Sequence, residues 1–171
     1  MRLNSVKLLY PIASSAAKTL KVSMRIAFTK GSGKYDLMEI LRPGKPLERV
    51  NCPKQRIIPH DMVHYAIEHT LKARGFLARV KNGEASSLPI AQVPESDSVE
   101  RLVEVFQGDE WSGGNSSAGE IIEMYKLTCA ARRCPALPID ASAVEAVRAA
   151  IADLTDRWQT IEVGGSLQLE F

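Results

Sequence analysis

The sequence predicts an α+β domain: an antiparallel sheet from N- and C-terminal hairpins, with about four helices inserted between them. Three observations carry this. Both ends of the chain alternate apolar and polar residues around glycine-bearing turns, while the middle repeats apolar residues at steps of three and four. The apolar and charged fractions, 45% and 25%, are those of a globular chain able to bury a core. An isolated hairpin is only marginally stable in water, so the two predicted hairpins are expected to meet in one sheet.

Residues 1–23 are read as a basic N-terminal extension, and residues 24–171 as the single domain. Arg2, Lys7, Lys18 and Lys21 fall in the extension, and no acid precedes Asp36. Lys7 and Pro11 interrupt the apolar run that a secretory signal needs, composition admits a transit-type leader, and Met24 is an alternative start.

Val22, Met24, Ile26 and Phe28 then alternate with polar or small residues, as a strand with one buried face requires. "KGSGK" supplies a turn, "YDLMEIL" returns as a second strand, and Leu47 to Val50 make a weaker third. At the other end, Ile161 and Val163 lead into Gly164-Gly165 and Leu167, Leu169 and Phe171 lead out, which predicts the second hairpin.

Between the hairpins, "PHDMVHYAIEHTLKARG" has proline at its start and glycine at its stop, the signals of one helix. "SDSVERLVEVFQ" carries Val99, Leu102, Val103 and Phe106 at helical spacing. Ser117 and Glu120 form a capping box ahead of Ile121, Ile122, Tyr125 and Cys129. A last helix, from about Asp140 to Trp158, bears Val144, Val147, Ile151, Leu154 and Trp158. That stripe suits a helix laid on the sheet, and also a short seam for a homodimer, although it spans fewer heptads than a coiled coil needs. "EASSLPIAQVPES" reads as a linker or surface loop.

Composition excludes some classes. No apolar run approaches the roughly 20 residues that cross a bilayer. The net charge of +2 is too small to indicate nucleic acid, and aromatic residues are not interleaved with the basic N-terminus. Three cysteines, Cys52, Cys129 and Cys134, make no disulfide framework, so a cytoplasmic, reducing setting is expected.

All three histidines lie within "PHDMVHYAIEH". His60 and His64 are four apart, so both rings fall on one side of a helix, one turn apart, and can grip one divalent metal ion such as zinc. The zinc motif H-E-x-x-H has this spacing, but Asp61 stands where that motif has its glutamate. Glu68 is eight residues from His60, about 12 Å along the axis, so one ion cannot bind both. Asp61 and Glu68 are therefore candidates for general base or for a partner behind the ligands. A further ligand must come from elsewhere, with Cys52, Asp109, Glu110, Glu120 and Glu123 as candidates. On a helical wheel Val63, Ala66, Ile67, Thr70 and Leu71 form the apolar face. Asp61, His64, Tyr65, Glu68 and Lys72 lie opposite, with Glu68 and Lys72 as an i,i+4 ion pair.

The segment "IIPHDMVHYAIEH", followed by Gly75-Phe76, resembles the signature of an uncharacterised group of small bacterial proteins containing L-P-H-D-[LM]-V-H-[YF]. Chains of that group likewise begin near "MRIAFTK" and end in a strand. The resemblance covers residues 24–171 and is specific only around His60–Glu68. It implies a bacterial, cytoplasmic setting and brings no activity.

"GSGK" from Gly31 to Lys34 lacks the earlier glycine of a P-loop, since Phe28 occupies that place, and Tyr35 follows where serine or threonine is needed. "WSGGNSSAGE" is a glycine-serine loop entering a helix N-terminus, where amides can hold an anion. Two functional classes lead. One is a small non-enzymatic binding or regulatory protein. The other is a metal-dependent, hydrolase-like enzyme with His60 and His64 as ligands.

Overall fold

In the computed structural model, which describes residues 23–87 and 93–171, four strands form one antiparallel sheet. They are β1 (Arg25–Thr29), β2 (Tyr35–Leu41), β3 (Glu48–Pro53) and β4 (Ser166–Glu170), in the order β3-β2-β1-β4. Apart from Ser23, the expected N-terminal extension lies outside the described residues, as does the centre of the predicted linker. Ile26 stands opposite Ile40 and Leu169, and Phe28 opposite Met38 and Leu167. The period-two alternation is therefore the burial pattern, with these six side chains on the covered face. The first turn needs glycine at position 31, because a Cβ there would meet the Tyr35 carbonyl oxygen at 2.0 Å.

The two ends of the chain do meet in this sheet, but the C-terminal end contributes one strand rather than a hairpin. The last helix runs on to Thr160, which leaves three residues before Gly164, and Val163 is exposed. Gly164 takes a positive φ of 88° and donates its N–H to the Lys30 carbonyl, steering β4 onto β1.

Among the described residues, five helices separate β3 from β4: α1 (His60–Leu71), α2 (Phe76–Lys81), α3 (Pro94–Trp111), α4 (Ala118–Arg132) and α5 (Ala141–Thr160). The segment expected as one helix up to Gly75 is divided. Lys72 ends α1 in the left-handed conformation, and α2 begins after Gly75. Both halves of the Ser117/Glu120 capping box are formed.

Helix α1 packs on both α3 and α5 and lies over the sheet. It is thereby buried nearly all round, which corrects the helical-wheel expectation. His64 and Glu68 join Met62, Val63, Ala66 and Ile67 inside. The stripe on α5 is likewise used up within the chain, since Val144, Val147, Ile151, Leu154 and Trp158 are all buried. A second copy would have to dock elsewhere. Leu154→Ala is accordingly expected to cost about 2–3 kcal/mol in chemical denaturation, without any concentration dependence of the midpoint. A concentration-dependent midpoint would restore the seam to a dimer interface.

Candidate metal centre

Two polar stripes face each other across the α1–α3 contact. His60, His64 and Glu68 follow one another at steps of four on α1, and Glu100 and Gln107 are seven apart on α3. The helices run antiparallel here, so His60 meets Gln107 while His64 meets Glu100. The Nε2 atoms of His60 and His64 are 3.2 Å apart. Glu100 Oε2 lies 3.0 Å from His64 Nε2, and its Oε1 lies 3.6 Å from His60 Nε2.

The separations of 3.0 and 3.2 Å are those of ligands on one metal ion, and Glu100 reaches the two rings through different oxygens, so that one ligand atom from each residue lies within 4.8 Å of the others. A zinc ion with bonds of about 2.0–2.1 Å and tetrahedral angles holds its donors about 3.3 Å apart. His60, His64 and Glu100 are the one cluster of three such donors among the described residues. Exposure is graded across it: the side chains of His60, Glu100 and His64 are 36%, 23% and 3% accessible. A three-donor site that opens on one side leaves room for a fourth, exchangeable ligand.

The far side of each imidazole is tied down. His64 Nδ1 lies 3.1 Å from Glu68 Oε1, and His60 Nδ1 lies 3.1 Å from Gln107 Oε1. An acceptor behind each ring assigns the N–H to Nδ1 and turns the Nε2 lone pair toward the shared centre, as in metal-ligating histidines. Gln107 holds this orientation although its own Nε2 is buried without an acceptor among the described residues. Phe76 closes the site beside His64, with ring centroids 5.9 Å apart.

Burial opposes a charge on His64, but its hydrogen bonds to Glu100 and Glu68 outweigh that and push its pKa up to about 10. Glu100, in spite of burial, is held below the ordinary carboxylate range by His64. A proton on His64 Nε2, shared between Glu100 and His60, neutralises the cluster in the absence of a cation. A metal ion would take that one proton's place and leave the outer hydrogen bonds unchanged.

Glu68, a candidate base, is not free. Its carboxylate accepts from His64 and from the amides of Leu77 (3.1 Å) and Ala78 (2.8 Å) at the start of α2. The expected Glu68–Lys72 pair is not formed, because Glu68 turns inward to these donors. It serves behind His64 and fixes the ring. Asp61, the other candidate base, accepts from the Cys52 thiol at 3.3 Å, on the β3 side of α1. Burial and then the Asp61 charge push the Cys52 thiol far above its ordinary value, so it stays protonated and donates.

The ligands named from sequence are engaged elsewhere, Glu110 excepted. Asp109 bonds Arg148 and the Ser116 amide, and Glu120 caps α4. Glu123 pairs with Lys126. The Glu110 carboxylate makes no hydrogen bond or ion pair among the described residues and belongs to no donor cluster with the histidines. Because Asp109 spans the glycine-serine loop, the amide of Ser116 already has its acceptor.

Gly75 completes the wall behind Glu68. A Cβ there would stand 2.6 Å from Glu68 Oε1 and from Val99 Cγ1. Neither neighbour can yield, since Glu68 is held by three donors. Gly75→Ala is expected to cost about 1–3 kcal/mol in thermal or chemical unfolding. A neutral result would mean that Glu68 is more loosely held than its bonds indicate.

Comparisons with protein-family models, with curated proteins and with solved structures returned no match to this chain. The functional reading therefore rests on the geometry alone.

Proposed function

We propose that this chain is a metal-binding protein whose His60, His64 and Glu100 hold one divalent transition-metal ion, zinc fitting best. The observation that carries the reading is the convergence of the two imidazole Nε2 atoms, 3.2 Å apart, on the Glu100 carboxylate, whose Oε2 lies 3.0 Å from His64 and whose Oε1 lies 3.6 Å from His60, with both imidazoles fixed from behind. A fourth position on the exposed His60 side suits water or a ligand, and metal-bound water is a nucleophile near neutral pH. The site thus has the donor set for hydrolase-like chemistry. A second reading, a binding or regulatory protein without catalysis, is favoured by the engagement of Asp61 and Glu68, which leaves neither free as a base. We place the protein in a reducing, cytoplasmic setting, supported by three cysteines without a disulfide.

The test is a competitive zinc titration of wild type, H60A, E100Q and D61N. The wild type is expected to bind one equivalent. H60A and E100Q should weaken binding by at least about tenfold, while D61N leaves it unchanged. Equal affinity in wild type and E100Q would overturn the assignment.

A further inference from the structure

Below the C-terminal end of α1, the turn 72–75, helix α2 and the end of β4 line an open cavity of about 530 Å³. Its size is that of small-molecule sites. Lys72, Arg74 and Lys81 line it, and none of the three makes an ion pair among the described residues. Neither residues 1–22 nor residues 88–92 contain an aspartate or glutamate, so no side-chain carboxylate of this chain is left out of that statement. Of the lining side-chain carboxylates, Glu68 is held by His64 and two amides, and Glu170 is the one other.

The cations are presented by fixed backbone. Lys72 sits in the left-handed conformation at the end of α1, and Gly75 packs against Glu68 too closely to admit a Cβ. The Arg74 amide donates to Glu95, and the Lys81 ammonium lies 5.4 Å from the centre of the Phe171 ring. His69, stacked on Tyr65 with centroids 5.2 Å apart, forms an aromatic wall beside Phe171. Burial first, then the Lys72 and Lys81 charges, hold the His69 imidazole below its ordinary value.

We propose that this cavity binds a phosphomonoester, its phosphate on Lys72, Arg74 and Lys81 and its apolar part against His69 and Phe171. Three cations lining one cavity exceed what a carboxylate monoanion can engage, and a phosphate dianion with three acceptor oxygens matches them. The proposal does not rest on the metal reading, although Glu68 lies in the walls of both sites.

Calorimetric titration of the full chain with phenyl phosphate tests it, with benzoate as the carboxylate of the same ring. One equivalent of phenyl phosphate should bind, and more weakly as salt is raised. The variant K72Q/R74Q/K81Q should lose at least about tenfold in affinity, with its unfolding midpoint checked separately, and E100Q should bind as wild type does. No saturable binding by wild type, or an unchanged affinity in the triple variant, would overturn the proposal. Benzoate binding as tightly as phenyl phosphate would overturn the phosphate assignment.

Discussion

Replacing His64 by alanine is expected to destabilise the protein by about 3–5 kcal/mol, the cost of stranding buried charge without its partner. His64 and Glu68 are 2% and 1% exposed, so solvent cannot take over the lost bonds. The pH dependence separates this from a simple cavity. The folded-state pKa of His64 is raised from 6.5 to about 10, so its contribution is fully present below pH 6.5 and is lost as pH rises through about 10. The depressed pKa of Glu100 gives a contribution present above its ordinary 4.5 and lost on further acidification. The stability gap between metal-free wild type and H64A should therefore be widest between pH 4.5 and 6.5 and shrink in alkali. Urea denaturation from pH 4.5 through about pH 10 measures it. A gap that does not change with pH would mean that folding leaves the His64 pKa unshifted.

Glu68→Ala is the second large effect. It removes the acceptor of two buried donors, His64 Nδ1 and the Leu77 amide, and of the part-buried Ala78 amide. At about 1–3 kcal/mol for each of the two buried groups, a loss of about 2–6 kcal/mol is expected. Because Glu68 also orients His64, zinc affinity in whatever folds should fall by about 10–100-fold, although Glu68 touches no ion. Denaturation and metal titration on one preparation separate the two effects. An unchanged affinity in a folded E68A would show that His64 needs no support from behind.

Much of the fold was legible in the sequence because burial follows period. Alternation at Met24, Ile26 and Phe28 reads directly as the inner face of β1. The C-terminal hairpin was over-read because Ile161 and Val163 alternate as a strand would, whereas local bonding carries α5 as far as Thr160. The site was half legible. An i,i+4 histidine pair is visible in one helix, but Glu100 belongs to a helix 36 residues further on. Its only local signal was a polar i,i+7 pair, Glu100 and Gln107, beside the apolar stripe of α3. Which helix that stripe would face depends on tertiary packing. The same packing explains Glu68, which one helix in isolation exposes and two neighbouring helices bury.

The central claim is that His60, His64 and Glu100 jointly ligate one ion. X-ray absorption spectroscopy of the zinc-loaded protein tests it most directly. Two imidazoles and two oxygen donors are expected, at about 2.0–2.1 Å. A sulfur shell near about 2.3 Å, fewer than two imidazoles, or a protein that takes up no zinc would contradict it.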